Sequence, residues 1–322
     1  MNTREGRAWH TLAGARGVGP KTLWLIADYL ASRNKTASWL LEHPGEIKTA
    51  LSGSNSAGVL PDFKNNESEE MSKRESKALT VLHPFHPGFP QQLKNLKDIL
   101  ALPALLYVTG NTAILNRTAV ALVGKRNASA EAKKVADSLA GELVAQGVNI
   151  TSGYAAGIDS AAHLAALRAG GTTSIVLAEG IVHFRIKPEL REFSREDNML
   201  VISQFEPEAK WAAYMAMTRN KLVCALSGAV VVIVSDPENN ANGRHSGTFN
   251  AGISALKMGI PVFAVSPNFF VDNPQGNREL IQKGCLELDP ASGTVPILAA
   301  LHSHADKKPL PSQLNLFEKI CE

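Results

Sequence analysis

Cysteine is scarce in this chain: Cys224, Cys285 and Cys321 are the only three in 322 residues. They lie far apart and match no metal-ligand spacing, which excludes a disulfide-stapled or zinc-clamped scaffold and fits the reduced thiols of a cytoplasmic protein. Long hydrophobic runs are missing too. The longest, "AVVVIV" at 229–234, falls far short of the roughly 20 apolar residues that span a bilayer. The N-terminus "MNTREGRAWH" lacks the apolar centre of a secretory signal. Neither sign of charge dominates, with 33 Lys and Arg against 30 Asp and Glu. The total therefore neither demands nor forbids a nucleic-acid partner, and the placement of the basic residues must decide. Aromatic residues make up only 6% of the chain, so stacking surfaces are few. What remains is an ordinary globular composition, 44% apolar and 20% charged, in a chain long enough for two or three domains.

Residues 8–52 carry apolar residues at helical spacing, as in "WLIADYLA" (24–31) and "TASWLLEH" (36–43). The stretch 53–78, rich in Ser, Asn and charge, reads as a linker. A Pro-rich segment follows from 79. From 118 the pattern becomes strand, glycine turn, helix, repeated. Strands are expected at 118–123, 148–152, 173–178, 199–204, 229–235 and 261–266, and helices at 129–146, 157–169, 188–197, 212–227 and 246–258. Near-continuous β-branched runs alternating with amphipathic helices predict a parallel sheet covered on both faces, a doubly wound α/β domain over 79–295. The residues from 296 read as a flexible tail.

In such a fold the ligand site is expected at the carboxyl ends of the strands. The first of those loops holds Gly124, Lys125 and Arg126, with Ser129 as a helix cap. The second, "SGYAAGIDSAAH", holds Ser152, Gly153 and Gly157 before a helix start, a place where backbone N–H groups can hold a phosphate. Further along come Arg219, Asn220 and Lys221, then Arg244, Ser246, Gly247 and Thr248 at another helix start. The same glycines also suit plain packing turns. Asp159 would repel an anion and is expected to stabilise its helix start, and His163 is expected to be a packed histidine rather than a base. No nucleophile–base pair and no metal-ligand cluster emerges, so neither catalysis, a metal nor another cofactor is expected.

The turn "GVGPKT" places Gly17, Gly19 and Lys21 between two helices. It resembles a helix-hairpin-helix element, whose hairpin N–H groups hold a DNA phosphate. A structural hairpin that binds nothing fits the same residues.

Taken in order, "VALVGKRNAS", "SGYAAGIDSAAH", "TRNKLVCALSGAVVVIV", "SGTFNAGISALKMGIPVFAVSP" and "NPQGNRELIQKG" resemble the DNA-processing protein A (DprA/Smf) family over about residues 83 to 290. The chain departs from the family pattern at Lys125, Thr218, Lys221 and Ser266-Pro267. The resemblance implies a Rossmann-like domain that binds single-stranded DNA through phosphates on the strand-end rim. It also implies a homodimer, a role in handing DNA to the RecA recombinase, and no catalysis. The N-terminal helices fit the sterile-alpha-motif-like or helix-hairpin-helix domain of many members. A sensor of a free nucleotide using the same loops is the alternative, whereas a phosphoribohydrolase would need a "PGGxGTxxE" signature that the chain lacks. Beyond the domain, "QLNLF" (Gln313, Leu314, Leu316 and Phe317 around Asn315) resembles the peptide by which bacterial proteins bind the polymerase sliding clamp.

Overall fold

The computed structural model describes residues 3–50, 79–96, 101–239 and 245–305. The chain divides into two compact units, one formed by residues 1–89, 99–109 and 309–322, the other by 90–98 and 110–308. Among the described residues no helix is long and apolar enough to cross a membrane. The linker expected at 53–78 lies outside the described residues, as do the clamp-like Gln313, Leu314, Leu316 and Phe317, and Arg244.

The first unit is mostly helical. Helix α1 (Arg4–Gly14) is capped by Thr3, whose hydroxyl accepts the Gly6 N–H at 3.0 Å. Helix α2 (Pro20–Ser32) has Pro20 in its first turn, where a missing N–H costs nothing. The short α3 (Ala37–Glu42) is capped twice. Thr36 accepts the Trp39 N–H, and Glu5 accepts the N–H groups of Ala37 and Ser38. A fourth helix, α4, covers Gly45–Ala50. Strand β1 (Thr80–Leu82) pairs antiparallel with β2 (Leu106–Gly110). Both fall in this unit, apart from Gly110 at the end of β2. Trp9, Leu12, Leu25, Ile26, Leu30 and Leu40 are fully buried here, and the Trp24 indole donates to Leu102 O at 2.9 Å.

The second unit opens with a single-turn helix, α5 (Gln91–Lys94). Beyond it lies the doubly wound α/β domain. Its strands are β3 (Ala119–Val123), β4 (Asn149–Ser152), β5 (Thr173–Val176), β6 (Met199–Ser203), β7 (Ala229–Val232), β8 (Val262–Val265) and β9 (Leu286–Leu288). They pair in the order β6-β5-β4-β3-β7-β8-β9, every pair parallel. All six expected strands are present, each slightly shorter. Helices α6 (Ala130–Ala145) and α7 (Ile158–Arg168) follow β3 and β4. Their buried alanines, among them Ala132, Ala136, Ala162 and Ala166, allow close packing on the core of Val120, Leu122 and Ile150.

Two expectations need correcting. The helix expected at 188–197 is only the single turn α8 (Pro188–Arg191). Asn198 captures the rest, accepting the Arg195 N–H at 2.7 Å and donating to Phe193 O at 2.9 Å. After α9 (Ala213–Ala225), α10 (Gly247–Lys257) and α11 (Gln275–Gln282), the chain is not a loose tail from 296. It forms α12 (Val295–Ala305), whose Ile297 and Leu301 are buried in the same core.

Candidate functional site

The loop between β4 and α7 shows what lies so close to its glycines. The Arg219 guanidinium of α9 crosses Gly153, where any Cβ would overlap it and the Asp159 carboxylate. Gly157 has φ +81°, which favours glycine, and it abuts the carbonyls of Lys125 and Arg126. Gly124 packs against Ile158 in the same way. Packing around one arginine and between two loops thus accounts for all three glycines.

Arg219 and Asp159 are both almost fully buried and form an ion pair at 3.6 Å. Asp159 also accepts the Ala155 N–H at 3.2 Å. Burial pushes its carboxyl up, and Arg219 and that N–H pull it back. The Arg219 Nε is buried with no hydrogen-bond partner among the described residues. An unmet charged donor of this kind costs stability unless something binds there. His163, fully buried, holds the loop from beneath. Its Nε2–H donates to Gly153 O at 2.5 Å, and its Nδ1 meets the Thr173 hydroxyl at 2.6 Å. Burial lowers its pKa to about 4, so it stays neutral and structural, as expected of a packed histidine. Lys187 closes the outer side. Its Nζ donates to the carbonyls of Tyr154 and Ala155, each at 3.1 Å, and to the Ser160 hydroxyl at 2.6 Å. Burial lowers its pKa as well.

Above this loop lies a cavity of about 300 Å³, walled by Arg126, Tyr154, Leu177, Glu179, Trp211 and Arg219, among others. Arg126 is exposed, and its charge acts on Arg219. It makes no ion pair among the described residues. Two guanidiniums therefore share one recess at the strand carboxyl ends, the geometry of an anion site.

The other expected site residues are divided between structure and surface. Lys125 is not a free cation: its Nζ pairs with Asp236 at 2.8 Å. The Ser152 hydroxyl turns inward to Leu122 O at 2.6 Å. Asn220 donates to Gly247 O at 3.0 Å, tying α9 to the start of α10. Ser246 caps α10, accepting the Phe249 N–H at 3.2 Å. Lys221, Gly247 and Thr248 are partly exposed outside the cavity lining. Gly17 (φ +82°) and Gly19 form the α1–α2 hairpin, with Lys21 exposed beside them. Tyr154 lines the cavity, whereas Phe249 is buried. The sequence reading missed Lys187, Glu179, Trp211 and Tyr214. Trp211 and Tyr214 are 52% and 67% exposed, and their position just before the "TRNK" stretch is the signal that would have found them.

Fold and site together define a Rossmann-like α/β protein with an arginine-walled, aromatic-edged cavity at the carboxyl ends of its parallel strands. The family described as DNA recombination-mediator protein A matches residues 80–292, and the chain belongs to it. DNA processing protein DprA of Bacillus subtilis is 32% identical over 192 residues, covering 59% of this chain and 62% of that protein. DprA of Streptococcus pneumoniae is 32% identical over 196 residues, covering 59% and 65%. The chain thus aligns with less than two thirds of the length of these relatives. The X-ray structure of S. pneumoniae DprA superposes with a TM-score of 0.74 at 25% identity, covering 93% of this chain and 98% of that one. A Helicobacter pylori DNA processing protein A structure, described for its single-stranded DNA binding mode, shares the fold. Its TM-score is 0.54 at 24% identity, over 70% and 94% of the chains.

Proposed function

We propose that the chain is a non-enzymatic single-stranded DNA-binding protein of DNA processing and recombination, holding backbone phosphates at the strand-end rim. The buried, unpartnered Arg219 Nε beside the exposed Arg126 carries this reading. Arg219 supplies a fixed, preorganised donor and Arg126 an exposed one, while Lys221 adds a partly exposed cation on α9 outside the cavity. The exposed Trp211 and Tyr214 offer faces on which bases stack. Family membership supports a DNA-processing role, and with it a homodimer that assists RecA loading. The motif at Gln313–Phe317 supports docking on a sliding clamp, and the Gly17–Gly19 hairpin with Lys21 supports added contact to duplex DNA.

Titration of a fluorescent single-stranded oligonucleotide at several salt concentrations tests the reading. Affinity should fall steeply with salt, and Arg126→Ala or Lys221→Ala should each lower the slope by roughly 0.7. A shallow slope indifferent to both substitutions, with tight binding of a mononucleotide, would instead establish a free-nucleotide sensor.

A further inference from the structure

Resting on that reading, we propose that Asp236 is a built-in competitor of the bound strand. It holds Lys125 until a backbone phosphate displaces it, and so sets how tightly the rim binds. The strand order reverses between β3 and β7, since β4 to β6 lie on one side and β8 and β9 on the other. The crevice between the ends of β3 and β7 is therefore the topological switch point, where open parallel sheets take their ligands. Lys125 follows β3, Asp236 follows β7, and their ion pair at 2.8 Å bridges the two strand ends. The protein's own carboxylate thus meets the lysine where the phosphate of a ligand is expected. In the strand-free protein Lys125 is no ligand residue, and Asp236 is the reason.

Both backbones are held in place. The Lys125 N–H donates to Val234 O at 3.1 Å, and the Lys125 carbonyl accepts the Ile158 N–H at 3.3 Å. Gly276 lies against the Asp236 carbonyl, which also accepts the Ser235 hydroxyl at 2.8 Å. The side chains stay open to water, with 29% of Lys125 and 46% of Asp236 exposed. An ion pair this open contributes little to stability, so exchanging its carboxylate for a phosphate costs little. Lys125 also stands next to Arg126, about 3.8 Å away between Cα atoms, so a strand held at Arg126 passes the pair. Arg126 lines the cavity, whereas Lys125 turns toward the end of β7. Once displaced, Asp236 leaves a bare negative charge beside the strand. It weakens binding twice, by occupying the lysine and by repelling the phosphate that replaces it. A rim tempered in this way releases its strand more readily, as a protein that hands DNA on must.

The test measures the affinity of the full chain for a thymidine oligonucleotide at several salt concentrations. It compares the wild type with Lys125→Ala, Asp236→Asn and the double variant. Asp236→Asn should bind about fivefold tighter, the scale of one unit charge acting across about 4 Å of water. Lys125→Ala should bind more weakly and lower the salt slope by roughly 0.7, the mark of one lost single-strand phosphate contact. The gain from Asp236→Asn should shrink when Lys125 is absent, because only the repulsion is then relieved. Should Lys125→Ala fold poorly, Lys125→Met keeps the stem, removes the charge and carries the same expectation. Unchanged affinity and slope on loss of the lysine charge would mean that the pair never opens, and would overturn the proposal. An equal gain from Asp236→Asn in both backgrounds would overturn it as well, since Asp236 would then act by repulsion alone. Either result, with a steep wild-type slope, leaves the phosphate reading standing. Failure of the wild type to bind would overturn that reading itself.

Discussion

The guanidinium of Arg219 lies where a side chain on Gly153 would have to be. That single overlap couples a glycine loop after β4 to a helix that begins sixty residues later in the chain. Gly153→Ala should drive the guanidinium away from Asp159. Separating a buried ion pair costs about 3–5 kcal/mol, because a charge is left uncompensated. Thermal melting should show that loss, and oligonucleotide affinity should fall with it. In an Arg219→Ala background the same glycine substitution should cost less, since the nearer of its two obstacles is gone and only the Asp159 carboxylate remains. Full additivity of the two would show that the overlap does not matter.

His163 makes stability depend on pH. Its pKa falls from 6.5 to about 4 on folding because burial disfavours the charged ring. Between those values the unfolded chain binds more protons than the folded one, so stability drops as pH falls through the window. The full span corresponds to roughly 3 kcal/mol. Asp159 works in the opposite sense, since its raised carboxyl pKa adds stability that is lost as pH rises. His163→Gln, which can still donate to the Gly153 carbonyl, should flatten the pH profile of the melting temperature. An unchanged profile in that variant would assign the dependence elsewhere.

The alternation of β-branched runs with helices made the parallel sheet legible, because strands buried on both faces have no polar alternation to hide them. Arg219 sits in the middle of α9, whereas the strand-end location of Arg126 followed from that topology. The real partner of Gly153 did not, since Arg219 reaches it only through tertiary packing. Glu179 and Lys187 were illegible for the same reason: each sits in an irregular segment whose path depends on contacts such as Gly180 against Pro207. Lys125 looked like a ligand residue because the sequence cannot show that Asp236, at the end of another strand, pairs with it.

Glu5 holds the start of α3 across more than thirty residues of chain. Its two carboxylate oxygens accept the Ala37 N–H at 2.6 Å and the Ser38 N–H at 3.2 Å, and the Ser38 hydroxyl adds a third bond at 2.9 Å. A helix of six residues has little stability of its own, so loss of this cap should be felt. Glu5→Ala should cost about 1–2 kcal/mol, as removal of a helix cap does. Hydrogen exchange should quicken at Ala37 and Ser38 before it does in the α/β sheet. Uniform quickening across both units would contradict a local role.

Asn277 fixes the second half of the rim. It is fully buried, and its side chain makes three backbone bonds. The amide donates to Ile233 O at 2.9 Å and Val265 O at 2.8 Å, and its oxygen accepts the Ser235 N–H at 2.8 Å. These join the ends of β7 and β8, where the chain leaves the sheet toward Ser246. Asn277→Ala leaves three buried backbone groups unmet and should cost about 3 kcal/mol or more. Asn277→Asp preserves the shape but sets acceptors against two carbonyls. Burial and those carbonyls would hold the new carboxyl above its usual range, and in its protonated form it can donate once. Its stability contribution is therefore present at low pH and lost as pH rises. Relative to the wild type, the aspartate variant should be less impaired at mildly acidic pH than at neutral pH, as read by thermal melting, whereas the alanine variant should show no such recovery. A pH-independent deficit for both would mean that the amide donors do not hold the strand ends together.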